Sequence, residues 1–167
     1  SRDAPERARL LPAAIDIALA AGDVDAARTA CNELDDLAAS FRAAMLDALA
    51  THAHGAIALA AGDPLTALIA LRRACNAWQA LDAPREEART RVLLAHACRE
   101  LGDADTAALE LDAARNTFTR LGADAEVAAI DAARASPSGA TRHAAVTSHP
   151  AATATAAPHD SAASDRS

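Results

Sequence analysis

The chain has 167 residues, a mass of 17.0 kDa and a formal net charge of −7, which leaves room for one domain. Its 16 basic residues are all Arg and are interleaved with 23 Asp and Glu, a balance that argues against the clustered cationic surface a nucleic acid requires. Hydrophobic residues reach 51% but aromatics only 2%, so the Ala-rich remainder, strong in helix propensity and small in bulk, points to close-packed helices with thin layers between them.

In chain order the pattern predicts helices at roughly 4–21, 24–41, 43–61, 64–81, 84–101 and 104–121, with a short seventh over about 124–134. Pro12 falls inside the first, so that helix is expected to kink or to begin there. The segment Ile17-Ala18-Leu19-Ala20-Ala21-Gly22-Asp23 recurs letter for letter from Ile57 to Asp63, and a looser copy ends in Leu101-Gly102-Asp103. The period is 40 residues, the mark of stacked supersecondary units that cannot bury their apolar faces alone. At each joint Gly supplies a left-handed residue after one helix, and Asp caps the next by accepting a backbone N–H. Pro64 and Pro84 suit the first helical position, and Glu86 and Glu87 the first turn of the fifth helix.

Each joint is followed by the same apolar stripe. The first is Ala27, Cys31, Leu34, Ala38, Phe41; the second Ala67, Leu71, Ala74, Trp78, Leu81; the third Ala107, Leu111, Ala114, Phe118, Leu121. Steps of four, three, four and three place each set on one helical face, with Phe41, Trp78 and Phe118 as the only large aromatic fillers. Val127 and Ile130 are expected to turn inward and cover the end of the stack. Residues 136–167 hold Val146 as their sole large apolar residue, too little to offset ordering entropy, so a disordered tail is expected.

Three cysteines without a C-x-x-C suit a reducing cytoplasm rather than a disulfide or zinc framework. The least charged stretch, Ala43 to Gly62, still carries Asp47, His52 and His54, which argues against a membrane span. No signal peptide is expected, and a first residue of Ser1 rather than Met fits a piece of something longer.

The Gly, the Ala five residues later and the bulky residue four beyond that, seen at Gly22/Ala27/Cys31, Gly62/Ala67/Leu71 and Gly102/Ala107/Leu111, resemble the tetratricopeptide (TPR) repeat. Gly55 and Ala95 match its small position in the first helix, where Ile15 departs. Ala74 and Ala114 match a later small position, where Leu34 departs. The resemblance implies an all-α, TPR-like right-handed stack of three antiparallel helical hairpins, at about 4–41, 43–81 and 84–121, within a domain spanning 1–135. The string from Pro84 to Asp103, continued from Asp105 to Arg115, is similar to the helical region of actinobacterial LuxR-type transcriptional regulators. The Lys-free, Arg- and Ala-rich composition looks like translation from a very GC-rich genome of that kind. In such proteins the repeats precede a helix-turn-helix domain, but nothing after Ser136 reads as a recognition helix. A truncated regulator, a frame-shifted remnant and a free-standing adaptor all remain open.

The resemblance further implies a concave groove lined by the first helix of each hairpin, carrying Arg9, Asp16, His52, Arg89, His96 and Arg99. Arg and His there suit a carboxylate or an acidic peptide, Arg through two parallel hydrogen bonds, whereas the bland alternative is an ordinary solvated helix face. His52 with His54, and His96 with Cys98, sit two residues apart and so point about 200° apart on a helix, unsuited to chelation from one face. No metal, no cofactor and no catalytic residue is therefore expected, and Cys31 and Cys98 read as core residues. The expected role is a non-catalytic interaction or regulatory module with a protein, peptide or small-ligand partner. The competing view, a small α-helical enzyme using His52, His96 or Cys98, demands an enclosed pocket with a strongly perturbed titratable group. A scaffold calls for an open groove without one.

Overall fold

The sequence signals for helix ends act where they stand. The computed structural model describes residues 4–135, and these form α1 (Ala4–Ala20), α2 (Val24–Phe41), α3 (Ala44–Ala60), α4 (Pro64–Ala80), α5 (Pro84–Glu100), α6 (Ala104–Arg120) and α7 (Asp124–Ala135). The described residues contain no strand. The expected tail at 136–167 lies outside them. α1 runs unbroken through Pro12, so the helix does not begin there.

Gly22, Gly62, Gly102 and Gly122 all have positive φ, between 66° and 84°. Around the first, the Gly22 N–H donates to the Leu19 carbonyl and the Asp23 N–H to the Ala18 carbonyl. That is a Schellman closure, in which two otherwise orphaned helix-end carbonyls find donors. It repeats at the 62, 102 and 122 joints. The next residue then caps the following helix: Asp23, Asp63 and Asp103 accept from the N–H of Ala26, Thr66 and Thr106 at 2.9–3.0 Å. The α4–α5 joint has the same closure without glycine. Asp82 takes the left-handed position at φ 49°, Ala83 sits at the cap without a side-chain bond, and Pro84 opens α5.

The three stripes are buried at their first four positions. Ala27, Cys31, Leu34 and Ala38, then Ala67, Leu71, Ala74 and Trp78, then Ala107, Leu111, Ala114 and Phe118 are all within 3% of full burial. The fifth position departs from expectation. Phe41 and Leu121 are about half exposed, at 50% and 47%. Each ends its helix or lies just beyond it, where the neighbouring helix has already turned away. Phe41 is therefore not a core filler.

The departure at Ile15 has a packing reason. At Gly55 an added Cβ would lie 2.6 Å from Leu71 Cγ, so Leu71 occupies the space over the glycine. In the first hairpin the sizes are reversed, with Ile15 on the first helix and Cys31 on the second, both buried in one cluster. A large residue on one helix thus faces a smaller one on the other in both hairpins, as a close-packed layer demands.

Every helix packs on its chain neighbour, and α1 also touches α3, as α3 touches α5. Burial along the first helices follows from this. Ala50 and Thr90 are buried, as are Ile57 and Ala97, because the preceding hairpin covers them. Their counterparts on α1, Leu10 and Ile17, are 61% and 71% exposed. Identical letters at 17 and 57 thus end in opposite environments. Beyond α6, α7 lays Ile130 into the core cluster beside Phe118 and Leu111, with Val127 packed against its edge. No helix among the described residues is long and apolar enough to cross a membrane.

Candidate functional site

Four of the six groove residues expected from the sequence converge. Asp16 from α1, His52 from α3, and Arg89 and His96 from α5 line one pocket of about 380 Å³. Its wall is apolar: Val92 and Leu93 from α5, Leu111 and Phe118 from α6, and Ala129, Ile130 and Ala133 from α7, with Glu126 at the rim. A smaller crevice, about 30 Å³, lies beside Pro12 and Leu49 and shares Asp16, His52 and Arg89. The volume falls in the range of small-molecule sites, and an apolar lining with a few polar groups is their usual make-up. Arg9 and Arg99 are exposed and do not line it. Arg99 still acts on the site through its charge, as His96 shows below.

Arg89 Nη2 donates to Asp16 Oδ2 at 2.9 Å, joining helices 73 residues apart in sequence. Both side chains are about half exposed, so the pair is worth only about 0–1 kcal/mol and exchanges partners readily. His52 lines the same pocket. Its Nδ1 is 2.8 Å from Thr90 Oγ1, and Thr90 is fully buried. The Thr90 hydroxyl gives its single proton to the Glu86 carbonyl at 2.8 Å, so it can only accept from His52. The imidazole is therefore the Nδ1–H tautomer, leaving Nε2 as a lone-pair acceptor.

Burial, reinforced by the Arg89 charge and only partly opposed by Asp16, holds the His52 pKa down at about 4. His96 is lowered as well, by burial first and then by Arg99. At neutral pH the pocket thus presents one exposed cation, Arg89, and two uncharged imidazoles above an apolar floor. The cysteines are unsuited to nucleophilic work. Burial pushes Cys31 up to about 12, with Asp35 adding to it, and burial likewise raises Cys75 to about 11 and Cys98. All three are free and buried.

The contribution of α7 was not foreseen, although Glu126, Ala129, Ile130 and Ala133 fall at i, i+3, i+4 and i+7, the spacing of one helical face. Thr90 was also missed, because its partners come from the preceding turn of α5 and from another hairpin. Comparison with protein-family models, curated proteins and solved structures finds no significant match to this chain.

Proposed function

We propose that the chain is a non-catalytic, TPR-like regulatory module whose groove takes an apolar group bearing a carboxylate, presented by a small ligand or a peptide. The observation that carries this reading is the pairing of a weakly engaged Arg89 with the apolar wall of Leu93, Phe118 and Ile130 in one pocket. An incoming carboxylate replaces Asp16 on the guanidinium through charge-assisted bonds, His52 Nε2 accepts from a ligand donor, and the apolar body displaces water from α5–α7. The 40-residue period and the similarity of residues 84–115 to LuxR-type regulators support a sensing role. Groove occupancy would there bias an attached DNA-binding domain, and three free thiols fit a cytoplasmic setting.

The depressed His52 is the one feature that favours the enzyme reading, because a bare scaffold calls for no such group. Its environment supports the non-catalytic reading instead. A pKa near 4 makes His52 a weak base at neutral pH, and the only hydroxyl it touches is a fully buried one already donating to a carbonyl. No nucleophile faces it among the described residues. Calorimetric titration with octanoate, octanol and octylamine tests the proposal. Octanoate should bind best, and Arg89→Ala should weaken it by about tenfold or more while sparing octanol. Equal binding of all three, unaffected by Arg89→Ala, would remove the carboxylate from the account, and binding of none would remove the pocket.

A further inference from the structure

We infer that Cys31, Asp35 and His54 form a three-ligand site for a Zn²⁺-class transition-metal ion at the junction of the first and second hairpins. Cys31 and Asp35 stand four residues apart on α2, hence on one face, and His54 faces them from α3. One ligand atom from each lies within 4.8 Å of the others. His54 Nε2 is 2.9 Å from Asp35 Oδ2 and 3.8 Å from Cys31 Sγ. Ligands at the corners of a tetrahedron around zinc are separated by roughly 3.5 Å, as metal–ligand bonds of about 2.0–2.3 Å require. The His54–Asp35 edge at 2.9 Å is shorter than such a triangle needs, the His54–Cys31 edge at 3.8 Å slightly longer, and the Cys31–Asp35 edge lies within 4.8 Å, so side-chain rotations must open the first and draw in the others.

The donor set is chemically coherent. Thiolate, imidazole and carboxylate together suit a borderline-soft divalent ion such as Zn²⁺ or Co²⁺ and disfavour Mg²⁺ or Ca²⁺, which take oxygen donors. Binding needs no redox partner: His54 gives its Nε2 lone pair as the Nδ1–H tautomer, the Asp35 carboxylate exchanges its contact with His54 for one with the ion, and the Cys31 thiol proton leaves to solvent. Sγ is buried, 1% exposed at the residue level, and also approaches the Ala50 carbonyl at 4.0 Å. The His54 and Asp35 side chains are 50% and 42% exposed. The ion thus has a buried anchor, an entry route and a fourth position open to water, the pattern of three-protein-ligand zinc sites. His52 takes no part, since two residues earlier on α3 it points to Thr90 instead.

Titration of the full, chelator-treated chain with Co²⁺, followed by Zn²⁺, reads the site directly. A thiolate-to-cobalt charge-transfer band and intense d–d bands of four-coordinate cobalt should grow to one equivalent, then vanish as Zn²⁺ displaces the ion. Thermal melting should rise with Zn²⁺, because the ion staples α2 to α3 and binds only the folded chain. Cys31→Ser should abolish the charge-transfer band. His54→Gln alters a half-exposed side chain with little risk to folding, and should weaken Co²⁺ binding by about a hundredfold or more. A chain that shows no charge-transfer band at stoichiometric Co²⁺, or one whose band survives both variants, overturns the assignment. So does a weak six-coordinate spectrum lacking thiolate character.

Discussion

His52 owes its low basicity to position rather than to any special partner. Burial removes the water that would solvate an imidazolium, and Arg89 repels the added charge. In the unfolded chain the same residue titrates near 6.5. The folded pKa is the lower one, so between about 6.5 and about 4 the unfolded state binds more protons, and stability is lost as pH falls through that window. A drop from 6.5 to about 4 converts to a loss on the order of 3 kcal/mol. Urea unfolding at a series of pH values checks this. The wild type should weaken from pH 6.5 downwards, while His52→Gln should lose most of that slope even if it starts from lower stability. Below this window a second loss belongs to carboxylates such as Asp63 and Asp103. Their cap bonds to Thr66 and Thr106 hold them below the usual range.

At the scale of the helix and its joint, backbone conformation and side-chain volume set the outcome separately. Of the six joints, four use glycine at the left-handed position, while Arg42 takes it between α2 and α3 and Asp82 between α4 and α5. An L side chain is strained there, though Asp tolerates it better than most. Asp82→Gly should therefore stabilise the chain by about 0.5–1 kcal/mol in denaturant melts. Gly55 tests the opposite case. Ala at a helix interior gains up to about 1 kcal/mol in propensity, but here its Cβ would meet Leu71 side-chain carbons at 2.6 and 2.7 Å and the Leu71 backbone nitrogen at 3.3 Å. Leu71 is fully buried and has nowhere to retreat, so overpacking wins, and Gly55→Ala should destabilise by about 1–2 kcal/mol net. Unchanged melting of that variant would mean α3 and α4 pack less closely than described.

Helix ends were most legible at the 22, 62 and 102 joints, where Gly makes the turn and Asp the cap; the α2–α3 joint instead turns at Arg42 and has no side-chain cap. Burial was less legible where it depends on neighbours. Ile17 and Ile57 share a local sequence, yet only Ile57 has a hairpin against it. Phe41 continues a perfect stripe but outruns the layer. The pocket was readable in its polar half, since Asp16, His52, Arg89 and His96 recur on first helices, but not in its wall, which α6 and α7 supply together. The Cys31–Asp35–His54 cluster escaped for a related reason. Same-helix spacing yields only Cys31 with Asp35, and the third ligand depends on how α3 faces α2.

Across the described residues each helix packs on its chain neighbour, and the two ends of the series differ. At the α1 end Leu10 and Ile17 stand exposed, whereas α7 closes the other and forms the far wall of the pocket. The proposed pocket draws on five helices, α1, α3, α5, α6 and α7, and under the proposal an incoming carboxylate releases Asp16 of α1 from Arg89 of α5. The most direct measurement is a methyl-resolved NMR titration with octanoate. Shifts confined to Val92, Leu93, Leu111 and Ile130, saturating together and weakened by Arg89→Ala, are the predicted result. Shifts centred instead on the exposed Leu65, Ile69 and Leu109, or on Leu10 and Ile17, would contradict it and move recognition to another face.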